Sequence, residues 1–413
     1  MSFEMREFIS GAESDSFRNF CPGPSLNQRQ KVFQRRVACV HHDEVRSKRR
    51  RPYRGLGARA LTAIGAATLL GPMLAGNAQA TTIDAGNSAS GALSHAYRHG
   101  LVQHVGTNLP GLLGLTNLQY GGGTAGVGVT TGAPKVILVF WGSQWGSAGT
   151  DSNGNTTLTG DSQGTASRLQ GFFKGLGTGA ETWSGVMTQY CQGVASGAKS
   201  CAAGEAHVCY PTGGALAGVW ADPSAAAPAQ ATGNQIGAEA VKAAGHFGNT
   251  TAASNRNVQY VVLSPTGTHP DGFSTTTGQF CAWHDYTGDT TMSGGAPLSP
   301  YGPLAFTNAP YVTDAGSSCG SNFVNAGPSG VTDGVTIVEG HEYAETISDQ
   351  FPAGGWTDIQ GNENGDKCAW ISSGQGAAQN IALTTGSYPV QSTWANDYSG
   401  STGGCEVAHA TVK

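Results

Sequence analysis

The segment TDGVTIVEGHEYAETISDQFP (332–352) sets the tightest limit on how this 413-residue chain folds. Its spacing predicts one helix. Thr332 or Asp333 is available to cap the start, and Pro352 blocks continuation past the end. VTIV before the charged residues and Ile347 after them make the flanks apolar, so most of the helix is expected to be buried. Yet Ile337, His341 and Glu345 are four residues apart and share a face, with Val338 and Ala344 beside them. Burying a His–Glu–Glu face is costly without a compensating cation. The fold must therefore bring a partner for those charges into its interior.

The rest of the chain predicts the layers that bury such a helix. PKVILVFWGS (134–143) and NVQYVVLSPTG (257–267) are apolar, β-branched runs bounded by turn residues, as buried strands are. SQGTASRLQGFFKGL (162–176) has helical spacing at Leu169, Phe172, Phe173 and Leu176. TWSGVMTQYC (182–191) reads as a second helix, and IGAEAVKAAGHF (236–247) as another ahead of the later strand. Alternating strands and helices point to an α/β or α+β layered architecture in one domain spanning 118–413. Internal repeats are not apparent. GGGTAG (121–126) fits GxGxxG but precedes a strand, and among 63 glycines the match carries little information.

Upstream, residues 46–80 have the parts of a secretory signal. A basic cluster from Lys48 to Arg51, with Arg54, precedes an apolar run from about Ala60 to Leu74, and Ala78 and Ala80 supply the small-residue cleavage pattern. Gly65, Gly71 and Pro72 interrupt that run, which is shorter than the ~20 residues of a membrane span, so stable insertion is not expected after cleavage. Residues 1–45 are an extension without functional signal, as a start codon assigned too far upstream would give. Residues 81–117, rich in Gly, Ala, Ser and Thr, read as a flexible leader or a propeptide.

From Thr81 onward there are 9 Lys+Arg against 21 Asp+Glu, a balance near −12. That surface repels phosphate backbones and lipid headgroups, which excludes nucleic acid and anionic membranes as expected partners. Cys191, Cys201, Cys209, Cys281, Cys319, Cys368 and Cys405 follow the signal. In an exported chain they are expected to form up to three disulfides and leave one odd thiol.

The helix carries HEYAE. Two side chains at i and i+4 grip one ion from a single turn, and the Glu between them can serve as general base, as in HExxH. Glu345 replaces the second histidine, and zinc accepts carboxylate oxygen at about 2.0–2.2 Å. HExxE strings also arise by chance on charged helices, so the apolar flanks matter. Glu363 and Asp366 in WTDIQGNENGDKCAW (356–370) lie 18 and 21 residues after Glu345, and either is a candidate third ligand. Asp358, Asn362, Asn364 and Asp366 offer oxygens for a structural calcium ion, though not in EF-hand order. His284 in FCAWHDY is an additional ligand, a transition-state donor or a histidine packed beside aromatic residues. Asp349 is expected near the site or at the surface. GSSCG (316–320) matches GxSxG without a following helix.

The pattern HEYAE…W…ENGDKC resembles secreted zincin-type metallopeptidases. It is also similar to the plant exordium (phosphate-induced) proteins and their bacterial relatives, in which an HE-x-A-E helix precedes an E-x-G-D-x-C segment. The first resemblance implies a zincin-like domain with a mixed sheet and an active-site helix. It also implies a zinc ion on His341, Glu345 and Glu363 or Asp366, with Glu342 as base for hydrolysis of a protein or peptide substrate. The second implies shared architecture around the same residues, with a non-catalytic extracellular role as the alternative.

Overall fold

The computed structural model describes residues 99–106, 116–276 and 280–412. The extension (1–45) and the signal (46–80) lie outside the described residues. Six strands form one mixed sheet: β1 (His99–Gln103), β2 (Lys135–Trp141), β3 (Leu216–Asp222), β4 (Val258–Leu263), β5 (Phe280–Tyr286) and β6 (Ala305–Ala309). Their order across the sheet is β1-β5-β6-β4-β2-β3. β3, β2, β4 and β6 run parallel, whereas β5 is antiparallel to both β6 and β1. The unbroken apolar runs of β2 and β4 fit their central places, because a parallel strand is covered on both faces.

Three long helices, α1 (Thr165–Gly175), α2 (Gly233–His246) and α3 (Asp333–Ser348), supply that cover. Alternation along β4 and β6 shows which helix takes which face. Gln259 reaches Thr307 and the Glu342 carbonyl of α3, and Tyr260 turns the other way to Asn249 and Asn255 just beyond α2. Phe306 lies against Gly237 of α2. α1 packs on α3. Every residue of α3 is buried, because sheet, α1 and the C-terminal hairpin (Gln379–Leu383 with Gly386–Val390) surround it.

Three expectations need correction. TWSGVMTQYC is not an α-helix: only Val186–Gln189 makes a short 3-10 turn, followed by extended Cys191–Gln192. Local bonds outcompete the helical ladder there, since Glu181 accepts the Gly177 and Ser184 N–H groups and Thr188 donates to the Gly185 carbonyl. Neither Thr332 nor Asp333 caps α3. The Asp333 carboxylate instead accepts N–H groups from Val324 and Asn325 and ties the preceding loop down. Finally, His99–Gln103 is not loose leader: Leu101 and Val102 are buried in an edge strand.

Among the described residues the cysteines form Cys191–Cys201, Cys281–Cys319 and Cys368–Cys405 bridges. Cys209 is not a free thiol either. No described helix is long and apolar enough to cross a membrane. The Cys281–Cys319 bridge spans 38 residues and fastens β5 to the loop that precedes α3. Replacing both cysteines by serine should cost about 2–4 kcal/mol in chemical denaturation; a loss below ~1 kcal/mol would show the bridge to be dispensable.

Candidate metal centre

Four segments converge beneath β1. α3 brings His341, Glu342 and Glu345, β5 brings His284, the loop after α3 brings Glu363 and Asp366, and the turn after the C-terminal hairpin brings Gln391. All are buried except Asp366, which is slightly open.

His341 is fixed first. Its Nδ1 lies 3.0 Å from Gln391 Oε1. The Gln391 amide NH2 is already donating to the Gly365 and Ser392 carbonyls, so its oxygen accepts and Nδ1 donates. In the neutral ring that leaves Nε2 as the lone pair. Nε2 faces Glu345 Oε1 at 3.0 Å and Asp366 Oδ1 at 3.8 Å. A lone pair aimed at carboxylate oxygens is repulsive, and only a proton or a metal cation between them reverses the sign. Without metal the proton does so: burial opposes the charged ring, but Glu345 overrides it and raises the His341 pKa to about 9.

Glu345 is shared. Its Oε1 also accepts the Asp366 N–H at 2.9 Å, while its Oε2 faces His284 Nε2 at 3.8 Å. His284 Nε2 sits 2.8 Å from Glu363 Oε2. Burial pushes His284 well down and Glu363 well up, with Glu345 adding to the latter, so the metal-free pair is held as a neutral hydrogen bond. Glu342 has no hydrogen-bond partner on either carboxylate oxygen. Burial, reinforced by Glu345, raises its pKa well above the usual carboxylate range.

Two three-residue groups therefore place donor atoms within 4.8 Å of one another: His341, Glu345 and Asp366, and His284, Glu342 and Glu345. Of the two sequence candidates for third ligand, Asp366 joins His341 and Glu345, while Glu363 lies against His284. His284 belongs to the cluster and is not a bystander packed among aromatics. Asp349 is buried and turns the chain by accepting the Ala353, Gly354 and Gly355 N–H groups. The oxygens considered for calcium diverge: Asp358 is held by Lys367 and Asn362, and Asn364 donates to α3. In GSSCG, Cys319 is bridged within a 3-10 stretch, not presented on a strand-to-helix turn.

Gln391, Gly100 and Gly365 were not singled out from sequence. A Cβ on Gly365 would lie 2.8 Å from Glu345 Oε1 and 2.9 Å from His341. The glycine inside ENGDKC was the available signal, since close backbone approach to a site is one reason for glycine. Gln391 gave none.

The proton balance predicts how metal-free protein responds to pH. Burial, with Glu345, raises Asp366 from 3.8 to about 7, and His341 rises from 6.5 to about 9. In both, the native state holds the proton more tightly than the unfolded chain. The stabilisation is complete below the unfolded pKa and is lost as pH rises through the folded one. Chelator-treated protein should thus lose stability from about pH 4 to 9, read as falling melting temperature, whereas zinc should flatten the curve. A melting temperature that climbs across this range without metal would contradict the assignment.

No family model, curated protein or solved structure matches this chain, so what the cluster does rests on its own chemistry.

Proposed function

We propose that the chain is an exported zinc-dependent endopeptidase with a zincin-like domain, akin in its helix and ENGDKC segment to the exordium proteins. The observation that carries this reading is the His341 tautomer: Gln391 holds Nδ1 as donor, so Nε2 points its lone pair at Glu345 and Asp366 inside the protein. One imidazole nitrogen and two carboxylate oxygens form a donor set that fits zinc. Export accords with the three disulfides.

Zinc, when bound, supplies a Lewis acid that lowers the pKa of water in an open coordination position. The chain's own groups do the rest. Glu342 follows His341 directly, and neither of its oxygens is occupied. Burial raises its pKa well above the usual carboxylate range, and a cation held by His341, Glu345 and Asp366 would favour the carboxylate form in which it could act as base. It then takes the proton of the attacking water and hands it to the leaving amine. His284, its Nε2 held by Glu363, shares the second donor group with Glu342 and Glu345 and so helps to position the space beside the base.

One observation favours a second reading, a non-catalytic extracellular protein with a structural ion. His341, Glu342 and Glu345 are 0 % exposed, and a structural zinc is closed by protein ligands. Metal analysis and hydrolysis separate the two. The protein should contain about one zinc per chain, and Glu345→Ala should lose it. Glu342→Gln should keep the zinc while hydrolysis of a denatured protein falls by about 10²-fold or more. Zinc retained with no hydrolysis by the wild type under any condition would select the structural reading.

Export has its own check. Material recovered from culture medium should have its N-terminus at or after Thr81. A soluble cytosolic protein retaining residues 1–80 would rule export out.

A further inference from the structure

The acidic cluster is covered by one strand. β1 pairs antiparallel with the outer edge of β5, placing His99 opposite His284 and Gln103 opposite Phe280. Between them Gly100 takes a left-handed φ of +53° and presses its backbone onto the site. A Cβ there would lie 2.0 Å from Glu345 Oε2 and 2.4 Å from His284 Cδ2. Only glycine fits so close to a carboxylate in that conformation.

We propose that residues 99–103 are an in-chain occupant of the cleft: they hold the edge of β5 that an extended peptide substrate takes, and the site opens when this strand leaves. This rests on the peptidase reading above.

Several features set β1 apart from the rest of the sheet. It is an edge strand, and its pairing with β5 shifts register on both sides of Val102, so the ladder is irregular. Beyond β5, Trp370 donates to the Gln103 carbonyl, Val105 donates to the Ser318 carbonyl, and His99 lies 3.6 Å from Asp289. Ladder bonds along a strand edge are made by main chain alone, so a peptide of many sequences can replace β1 once it lifts. Gly100 shows where such a peptide would meet the metal ligands. It sits next to Glu345, a proposed ligand, and His284, so a peptide in its place would lie against the cluster.

The test uses the full chain loaded with zinc. In Gly100→Val the added side chain collides with Glu345 and His284 and strains the backbone, so β1 should detach. Zinc removal by a chelator and hydrolysis of a denatured protein should both accelerate, by about tenfold or more. A folded Gly100→Val that releases zinc at the wild-type rate would overturn the proposal. Should that variant fail to fold, hydrogen exchange on the wild type decides. Amides of 99–103 should exchange through a local opening well before those of β2 and β4, and equal protection in all three would overturn the proposal. Faster zinc release without hydrolysis in any variant would refute the peptidase while leaving the strand as the gate to the metal. If no variant binds zinc, the metal reading fails, and the exchange pattern alone decides whether β1 opens.

Discussion

The carboxylate of Glu345 is the contact on which the surrounding structure depends. One oxygen receives the Asp366 N–H and faces His341, and the other faces His284. A single side chain thereby joins α3, the loop after it and the sheet. A carboxylate at the centre of a protein is tolerated only where its charge is answered, and here the answer is assembled from three separate parts of the chain. The glycines at 100 and 365 follow from the same demand, because backbone must come within contact distance of that group.

Around this centre the supporting layer is unusually polar for a core. Asp358 and Lys367 form a buried ion pair, and the Lys367 ammonium lies 4.4 Å from the Trp394 ring. Next to Lys367, Cys368 is tied to Cys405. These contacts hold the ENGDKC loop in place from behind, so the positions of Glu363 and Asp366 do not depend on those two carboxylates finding their own partners. Outer-shell order of this kind fixes ligand orientation in metal sites.

Much of this was legible in the sequence, for identifiable reasons. α3, β2, β4 and α2 are long apolar segments, and their spacing alone sets their type. His341, Glu342 and Glu345 were legible because helical geometry brings close neighbours in sequence together. His284 was visible but ambiguous, since a histidine among aromatics on a strand looks the same whether it packs or ligates. Gln391 was invisible, because its role arises only when the turn after the C-terminal hairpin meets α3. The 182–191 segment has helical spacing yet forms no α-helix, because Glu181 and Thr188 divert the backbone bonds that a helix needs. β1 has the composition of a leader, and only pairing with β5 makes it a strand.

The donor atoms of the cluster are nitrogen and oxygen, and the cysteines nearest to them are already consumed in sulfur–sulfur bonds. Cys368 lies two residues beyond Asp366, and Cys281 three before His284, yet neither offers a thiolate to an ion. Disulfide formation and the proposed ion uptake therefore draw on separate atoms. A thiol-ligated centre would have to be filled before oxidation to protect its ligands, or risk losing them to a mispaired bridge. In this chain either event can come first, and an error in one does not use up the groups that the other requires.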